Sequence, residues 1–425
     1  MEEEAADRVA EGQLELDEED SEPFEELEPE DKEDKLSDLG RGDEIGSTIP
    51  SELSFSGEPA LSPALKRKKN DLLNLLAAET LDRARLLQMA LSEGGLIDDE
   101  IRKKAWPLLL NIGDESTEKP PTQEEIEKHP EYRQVVMDVN RSLKRFPPGI
   151  PYEQRVALQD QLTRLILRVI MKYPHLCYYQ GYHDVAVTFL LVVGEDKAFY
   201  ILEKLSTEHL RVCMEPTMDT TSRLLNTIYP LISRKNPQLH EYLERSEAGT
   251  LFALPWFLTW FGHSLSKYSA VVRMYDFFLC SAPQMPLYVA ATIVLYRTEE
   301  VLETPCQMDC MHGLLSQLPE NLPFEKILKQ AERLYLDFPP ESIEKEVDER
   351  TKREFELRFN PPPKAKAVVK KKPPTKYLFG LRNILAVRRP TSYVQMFVAT
   401  ASVMFSLYMY MRTGAEQGQL PIAPS

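Results

Sequence analysis

The sequence predicts an all-α fold: a large multi-helix domain with a disordered acidic tail before it and a single C-terminal transmembrane helix after it. Three observations predict this. Apolar residues recur at helical spacing through the middle of the chain, and no convincing period-2 run marks a strand. The two ends carry opposite, concentrated charge. A charge-free apolar stretch lies close to the C-terminus. The 425 residues allow one large domain or two ordinary ones, and no internal repeat is evident.

Residues 1–60 hold 23 acids and 4 bases, with runs such as Asp17-Glu18-Glu19-Asp20. So few apolar groups cannot offset the entropy of ordering the chain, so residues 1–63 are expected to be disordered. A solvated tail is the first reading of this head, and a docking or regulatory segment the second. Residues 361–425 hold ten bases and one acid, which leaves the middle of the chain mildly acidic within a total of −16.

From Val394 to Met411 there are 18 residues without a charge, followed by only 14 more. As a helix this stretch spans roughly 27 Å, near the thickness of a bilayer core. Nine Lys or Arg and no acid lie between Lys364 and Arg389, and Tyr393 and Tyr410 stand at interfacial positions. Positive flanks stay on the cytoplasmic side, so the segment 393–411 reads as a tail anchor, with the domain facing the cytosol and a short lumenal tail at 412–425. Gln395, Thr400, Ser402 and Ser406 make the segment only moderately apolar. A buried core helix is the alternative, and it fits poorly behind a basic, Pro-rich linker (346–392). Lys370-Lys371-Lys372-Pro373-Pro374 suits anionic lipid headgroups better than nucleic acid, since the chain as a whole is acidic. No apolar run stands at the N-terminus, so no signal peptide is expected.

In the middle, Leu158, Leu162, Leu165, Ile166 and Val169 mark one face of a helix that stops before Pro174. Leu72, Leu73, Leu75 and Leu76 suggest a helix that begins after Asn70 and Asp71 as caps. Pro286 suits the first turn of a helix running through Leu295. The runs Val185–Val193 and Leu251–Phe261 are apolar almost all round and too short to span a bilayer, so each reads as a buried core helix. The helical domain is expected over 64–345, ending in a charged helix-like stretch. Cys177, Cys213, Cys280, Cys306 and Cys310 form no CxxC pair and read as reduced thiols. No metal site is expected, and His183, His263 and His312 read as structural. There is no P-loop, HExxH or GxSxG motif and no paired-carboxylate motif.

Three short segments carry more. The first runs from Gly94-Gly95-Leu96 to Arg102-Lys103-Lys104-Ala105-Trp106, with Arg102 and Trp106 on one helix face. The second is Val135-Val136-Met137-Asp138-Val139-Asn140-Arg141-Ser142, and the third is Tyr178-Tyr179-Gln180-Gly181-Tyr182-His183-Asp184. In this order they resemble the TBC domain, the GTPase-activating module for Rab small GTPases. The second matches that family's IxxDxxR motif with Val135 in the Ile position, and the third matches its YxQG motif. Trp256-Phe257-Leu258-Thr259-Trp260-Phe261 and Arg273-Met274-Tyr275-Asp276-Phe277-Phe278 look like later helices of the family. The resemblance covers about Leu86 to Gln330, with its motif core at about 94–300.

The resemblance implies that Arg141 is an arginine finger and that Gln180 supplies a water-orienting glutamine in trans. An external arginine at a phosphoryl transition state is worth about 10³–10⁵ in rate. Its fork is matched to two oxygens in a way that lysine does not reproduce. Asp138, three residues before Arg141, is placed to hold it. Tyr178 and Gly181 shape the turn that presents Gln180, with Asp184 beside it. Arg102 and Trp106 read as scaffold, with Arg102 neutralised by a buried acid. Ser142 stands where many relatives have Thr. No cofactor of the chain's own is implied, because GTP and Mg²⁺ travel with the Rab.

Arg145-Phe146-Pro147-Pro148-Gly149, the Gly262-His263 pair and the tail anchor resemble an endoplasmic-reticulum-anchored branch of the family. That branch implies Rab one and Rab two class substrates, ER-to-Golgi traffic and contact with other ER membrane proteins. The expected activity is that of an activator, with no hydrolase activity of its own. The alternatives are a non-catalytic, membrane-anchored Rab effector or scaffold, and a membrane-shaping protein. The last would need a long basic amphipathic face, which the domain lacks. From the anchor alone, the mitochondrial outer membrane rivals the endoplasmic reticulum.

Overall fold

The computed structural model describes residues 61–113, 119–142 and 151–359, and among them every regular element is a helix. The acidic head up to residue 60, Arg145–Gly149 and the apolar segment 393–411 lie outside the described residues. Among those described, no helix is long and apolar enough to cross a membrane.

Helix α1 (Pro63–Ala77) opens with Ser62 as N-cap, whose Oγ accepts from the Leu65 N–H, and with proline in its first turn. Asn70 and Asp71 therefore lie inside the helix and do not cap it. The Ser-Pro start dominates because the Lys- and Leu-rich residues that follow are good helix formers and carry the helix through the Asx pair. Helices α2 (Arg83–Leu91) and α3 (Asp99–Leu109) are capped by Asp82 and Asp98. Two acids in the first turn of α3 suit its positive end. A capping box at Thr122 and Glu125 starts the short α4 (Gln123–Glu127).

Helix α5 (Tyr132–Ser142) packs on α6 (Tyr152–Lys172) and on α7 (Tyr182–Val193). The expected α6 stripe is the buried one, with Leu158, Leu162, Leu165, Ile166 and Val169 all inside. The apolar run of α7 is buried nearly throughout, as expected of a central helix. Helix α8 (Glu195–Thr207) covers α6 and α7. Helices α9 (Asp219–Leu225), α10 (Ile228–Lys235) and α11 (Pro237–Ser246) lead to the segment read above as one core helix.

That segment is broken in two. A 3₁₀ turn (Leu251–Ala253) runs into the five-residue α12 (Leu254–Leu258), and the chain then turns through Trp260 and Phe261 at φ +47° and +66°. Pro255, in the first turn of α12, marks where a new helix begins. Bulky residues rarely adopt left-handed backbone. Here burial offsets the strain: Trp260 packs edge-on to Tyr275 and Phe278, and Phe261 stacks on Trp256 and Phe278.

Helix α13 (Tyr268–Phe278) is followed by α14 (Met285–Tyr296), which has Pro286 in its first turn as expected. Helix α14 is buried almost throughout beneath α10 and α17 (Phe324–Asp337). Helices α15 (Thr298–Glu303) and α16 (Met308–Leu315) precede α17. Helix α18 (Pro340–Phe359) contains the expected domain boundary at 345. The chain divides into two compact units, Met1–Ile343 and Glu344–Ser425. The described part of the second is the charged remainder of α18, with an Arg350–Glu354 pair at 3.2 Å.

Candidate functional site

Arg141 lies in the last turn of α5, and its side chain is 72% exposed. One helical turn earlier, Asp138 is buried at 1% exposure. The expected Asp138–Arg141 pair is loose: Arg141 Nη1 lies 3.9 Å from Asp138 Oδ1, beyond hydrogen-bond reach, and that oxygen accepts no hydrogen bond. Asp138 is held by other groups. Its Oδ2 accepts from Gln134 Nε2 at 3.0 Å and from the Tyr178 hydroxyl at 3.1 Å.

Gln180 sits exposed on the turn that leads into α7. Gly181 follows it as the α7 N-cap at φ +116°, a conformation that L side chains avoid, and a Cβ there would come 2.9 Å from Thr259 Cγ2. Behind the turn, the Tyr179 hydroxyl donates to the Leu258 carbonyl at 2.9 Å. His263 Nδ1 lies 3.1 Å from Asp184 Oδ2. The strained turn after α12 thus buttresses the Gln180 turn from beneath, and a continuous helix over 251–261 would not have brought these groups together.

Tyr178 joins the two halves of the site. Its hydroxyl lies 3.1 Å from Asp138 Oδ2 and 2.8 Å from His183 Nδ1. Burial, and then the Asp138 charge, push the phenol well above its usual pKa, so it stays protonated and can donate. Two exposed side chains able to act on a partner, Arg141 and Gln180, are therefore presented by elements linked through a buried Asp138–Tyr178 bond.

Arg102 and Trp106 belong to a different constellation. Trp106 is fully buried, edge-on to Phe189 at 5.2 Å. The buried acid expected for Arg102 is Asp276 of α13, which has no exposure. Its carboxylate accepts from Arg102 Nε and Nη2, from Trp106 Nε1 at 2.8 Å and from the Leu96 N–H at 2.9 Å. Burial alone would lower the Arg102 pKa, but Asp276 and then Asp99 outweigh it and hold the guanidinium charged. Gly95, at φ +53°, leaves the space that the Asp276 carboxylate occupies.

Residues 99–302 match the model of the Rab-GTPase-TBC domain. The chain is 50% identical over 284 residues to TBC1 domain family member 20 of Bos taurus and equally so to that of Homo sapiens, a span of 66% of this chain and 70% of each relative. It is 31% identical to the GTPase-activating protein gyp10 of Schizosaccharomyces pombe over 62% of this chain and 71% of that one. The chain belongs to the Rab-GTPase-TBC domain family. The crystal structure of the Ypt/Rab-GAP domain of Gyp1p has the same fold, with a TM-score of 0.53, 16% identity, and coverage of 64% of this chain and 98% of that one.

Within this TBC domain, the sequence does not point to Asp276 as the acceptor for Arg102, nor to the contacts of His183 and His263 with Asp184. Both histidines read as scattered and structural, yet each lies against Asp184, at 3.6 Å for His183 Nε2 and 3.1 Å for His263 Nδ1. Only adjacency in sequence to Asp184 pointed to His183. Cys213 is buried, its thiol pushed up to about 12 by that burial, which suits a packing residue. A separate open cleft of about 1300 Å³, lined by residues such as Lys235, Arg297, Lys326 and Asp337, holds none of the motif residues.

Proposed function

We propose that this chain is a GTPase-activating protein for Rab small GTPases, acting by insertion of Arg141 and Gln180 into the Rab's nucleotide site. The observation that carries the reading is the pairing of two exposed, chemically competent side chains on elements joined by the buried Asp138–Tyr178 bond. Family membership supports it. Arg141, without a tight partner among the described residues, can reach outward and neutralise the charge that develops on the phosphoryl oxygens. The Gln180 amide offers both an acceptor for the attacking water and a donor for the γ-phosphate. GTP and Mg²⁺ come with the Rab, so the chain contributes side chains and no cofactor. It activates another protein's hydrolysis and turns over no nucleotide alone.

The finer reading is a Rab one and Rab two class activator in ER-to-Golgi traffic, held at the endoplasmic reticulum membrane by residues 393–411 with the domain in the cytosol. Confinement to one surface with a lipidated Rab would raise their effective concentration without any new contact. The test uses a Rab whose own catalytic glutamine is replaced. The wild-type chain should still accelerate its hydrolysis, and Gln180→Ala should not. Failure of wild type to rescue that Rab would show that no glutamine is supplied in trans.

A further inference from the structure

We infer that His183 is a positioning residue that couples the two candidate catalytic side chains through its contact with Tyr178. This rests on the reading of Arg141 and Gln180 given above. His183 is the first-turn residue of α7 that lies behind the Gln180 turn, and it is 6% exposed. Its Nδ1 is 2.8 Å from the Tyr178 hydroxyl, and its Nε2 faces Asp184 Oδ2 at 3.6 Å. Asp184 Oδ2 in turn lies 3.1 Å from Nδ1 of His263, beyond the strained turn that supports Gly181.

The proton count gives His183 a specific task. The Tyr178 hydroxyl has one proton, and Asp138 Oδ2 accepts it at 3.1 Å. The contact at 2.8 Å with His183 is then a hydrogen bond only if Nδ1 carries a proton and donates to the phenol oxygen. The direction of donation runs from His183 Nδ1 to Tyr178 to Asp138, the carboxylate one turn below Arg141. Asp138 is thereby kept on the Gln134 and Tyr178 side by its Oδ2, and its Oδ1 is left toward Arg141 without a hydrogen bond. Arg141 meets an acid near enough to attract it and too far to hold it. The same ring fixes the backbone between Tyr178 and Asp184, the stretch that carries Gln180. One imidazole thus sets both the arginine's resting place and the glutamine's turn.

The side chain shapes of Asn and Gln separate this task from simple filling of space. In His183→Asn the amide nitrogen takes the place of Nδ1 and can still donate to Tyr178. In His183→Gln it takes the place of Nε2 and cannot. His183→Phe fills the volume and does neither. The three variants of the full chain are compared in single-turnover hydrolysis by a GTP-loaded Rab, with the maximal rate separated from the half-saturating concentration. Backbone hydrogen exchange of residues 178–184 is measured without any Rab.

A misplaced catalytic group costs up to about 10²-fold, so His183→Phe and His183→Gln should lower the maximal rate by about 10–100-fold with little change in half-saturation. Both should speed exchange across 178–184, and His183→Asn should restore rate and protection to near wild type. An Asn variant as impaired as the Phe variant, or a Phe variant with wild-type rate and exchange, would overturn the inference. Wild type that accelerates no Rab would overturn the activator reading instead, and the exchange pattern would still decide the role of His183.

Discussion

Arg102 and Arg141 each stand three residues after an aspartate within one helix, and the fold treats them oppositely. Arg102 lies 2.9 Å from Asp99, is 5% exposed, and has its remaining donors taken by Asp276. Arg141 lies 3.9 Å from Asp138 and is 72% exposed. The local spacing is the same, so it cannot be what decides the fate of the guanidinium. In the first pair the acid in sequence is the lesser partner, because a second acid from α13 reaches in over a separation of 174 residues. In the second pair the acid is the buried member, and its Oδ2 is engaged by Gln134 and Tyr178 instead. One arginine is part of the interior, and the other stands exposed at the surface.

The largest expected effect on stability tests the closed network. Asp276→Ala removes the acceptor for Arg102, Trp106 and the Leu96 N–H together and strands a buried guanidinium. The expected loss is about 3–5 kcal/mol, read by denaturant unfolding. A loss under 1 kcal/mol would mean that Asp99 alone can satisfy Arg102, and the contrast with Arg141 would weaken. Replacement of Trp106 by Ala should cost a similar amount, about 3–5 kcal/mol, through the cavity it leaves beside Phe189 and Tyr275.

Gly181→Ala should cost less, about 1–3 kcal/mol, from the left-handed backbone and the approach of Thr259. It should lower stimulation of GTP hydrolysis more than that stability loss explains, because it moves the Gln180 turn. A variant that is destabilised yet fully active would show that the turn need not be fixed. The smallest effect belongs to Arg141→Ala. An exposed arginine without a close partner among the described residues contributes little, so unfolding should change by no more than about 0.5 kcal/mol.

The sequence made these regions legible to different depths. Helical periodicity located α6 and α7 because an apolar stripe or run is a local property. The motif residues Arg141 and Gln180 stood out by order and type, and the structure shows both exposed on linked elements. Asp276 could not be assigned to Arg102 in advance, since their contact depends on how α3 and α13 pack. The start of α1 lies earlier than Asn70-Asp71 suggests, because Ser62-Pro63 supplies both the cap and the first-turn proline. The segment 251–261 was read as one helix because hydrophobicity alone cannot distinguish a buried helix from a buried turn. Pro255 is the local signal of the break, and the contact between His263 and Asp184 lies beyond that break.

The central claim is that Arg141 acts in the transition state and Arg102 in the fold. It is tested most directly by single-turnover hydrolysis of a GTP-loaded Rab at saturating Arg141→Lys. Lysine keeps the charge and loses the two-pronged geometry, so the rate should fall about 10³-fold or more toward the Rab's own, with unchanged unfolding. A lysine variant within about tenfold of wild type, where the loss of a fork should cost far more, would contradict the account.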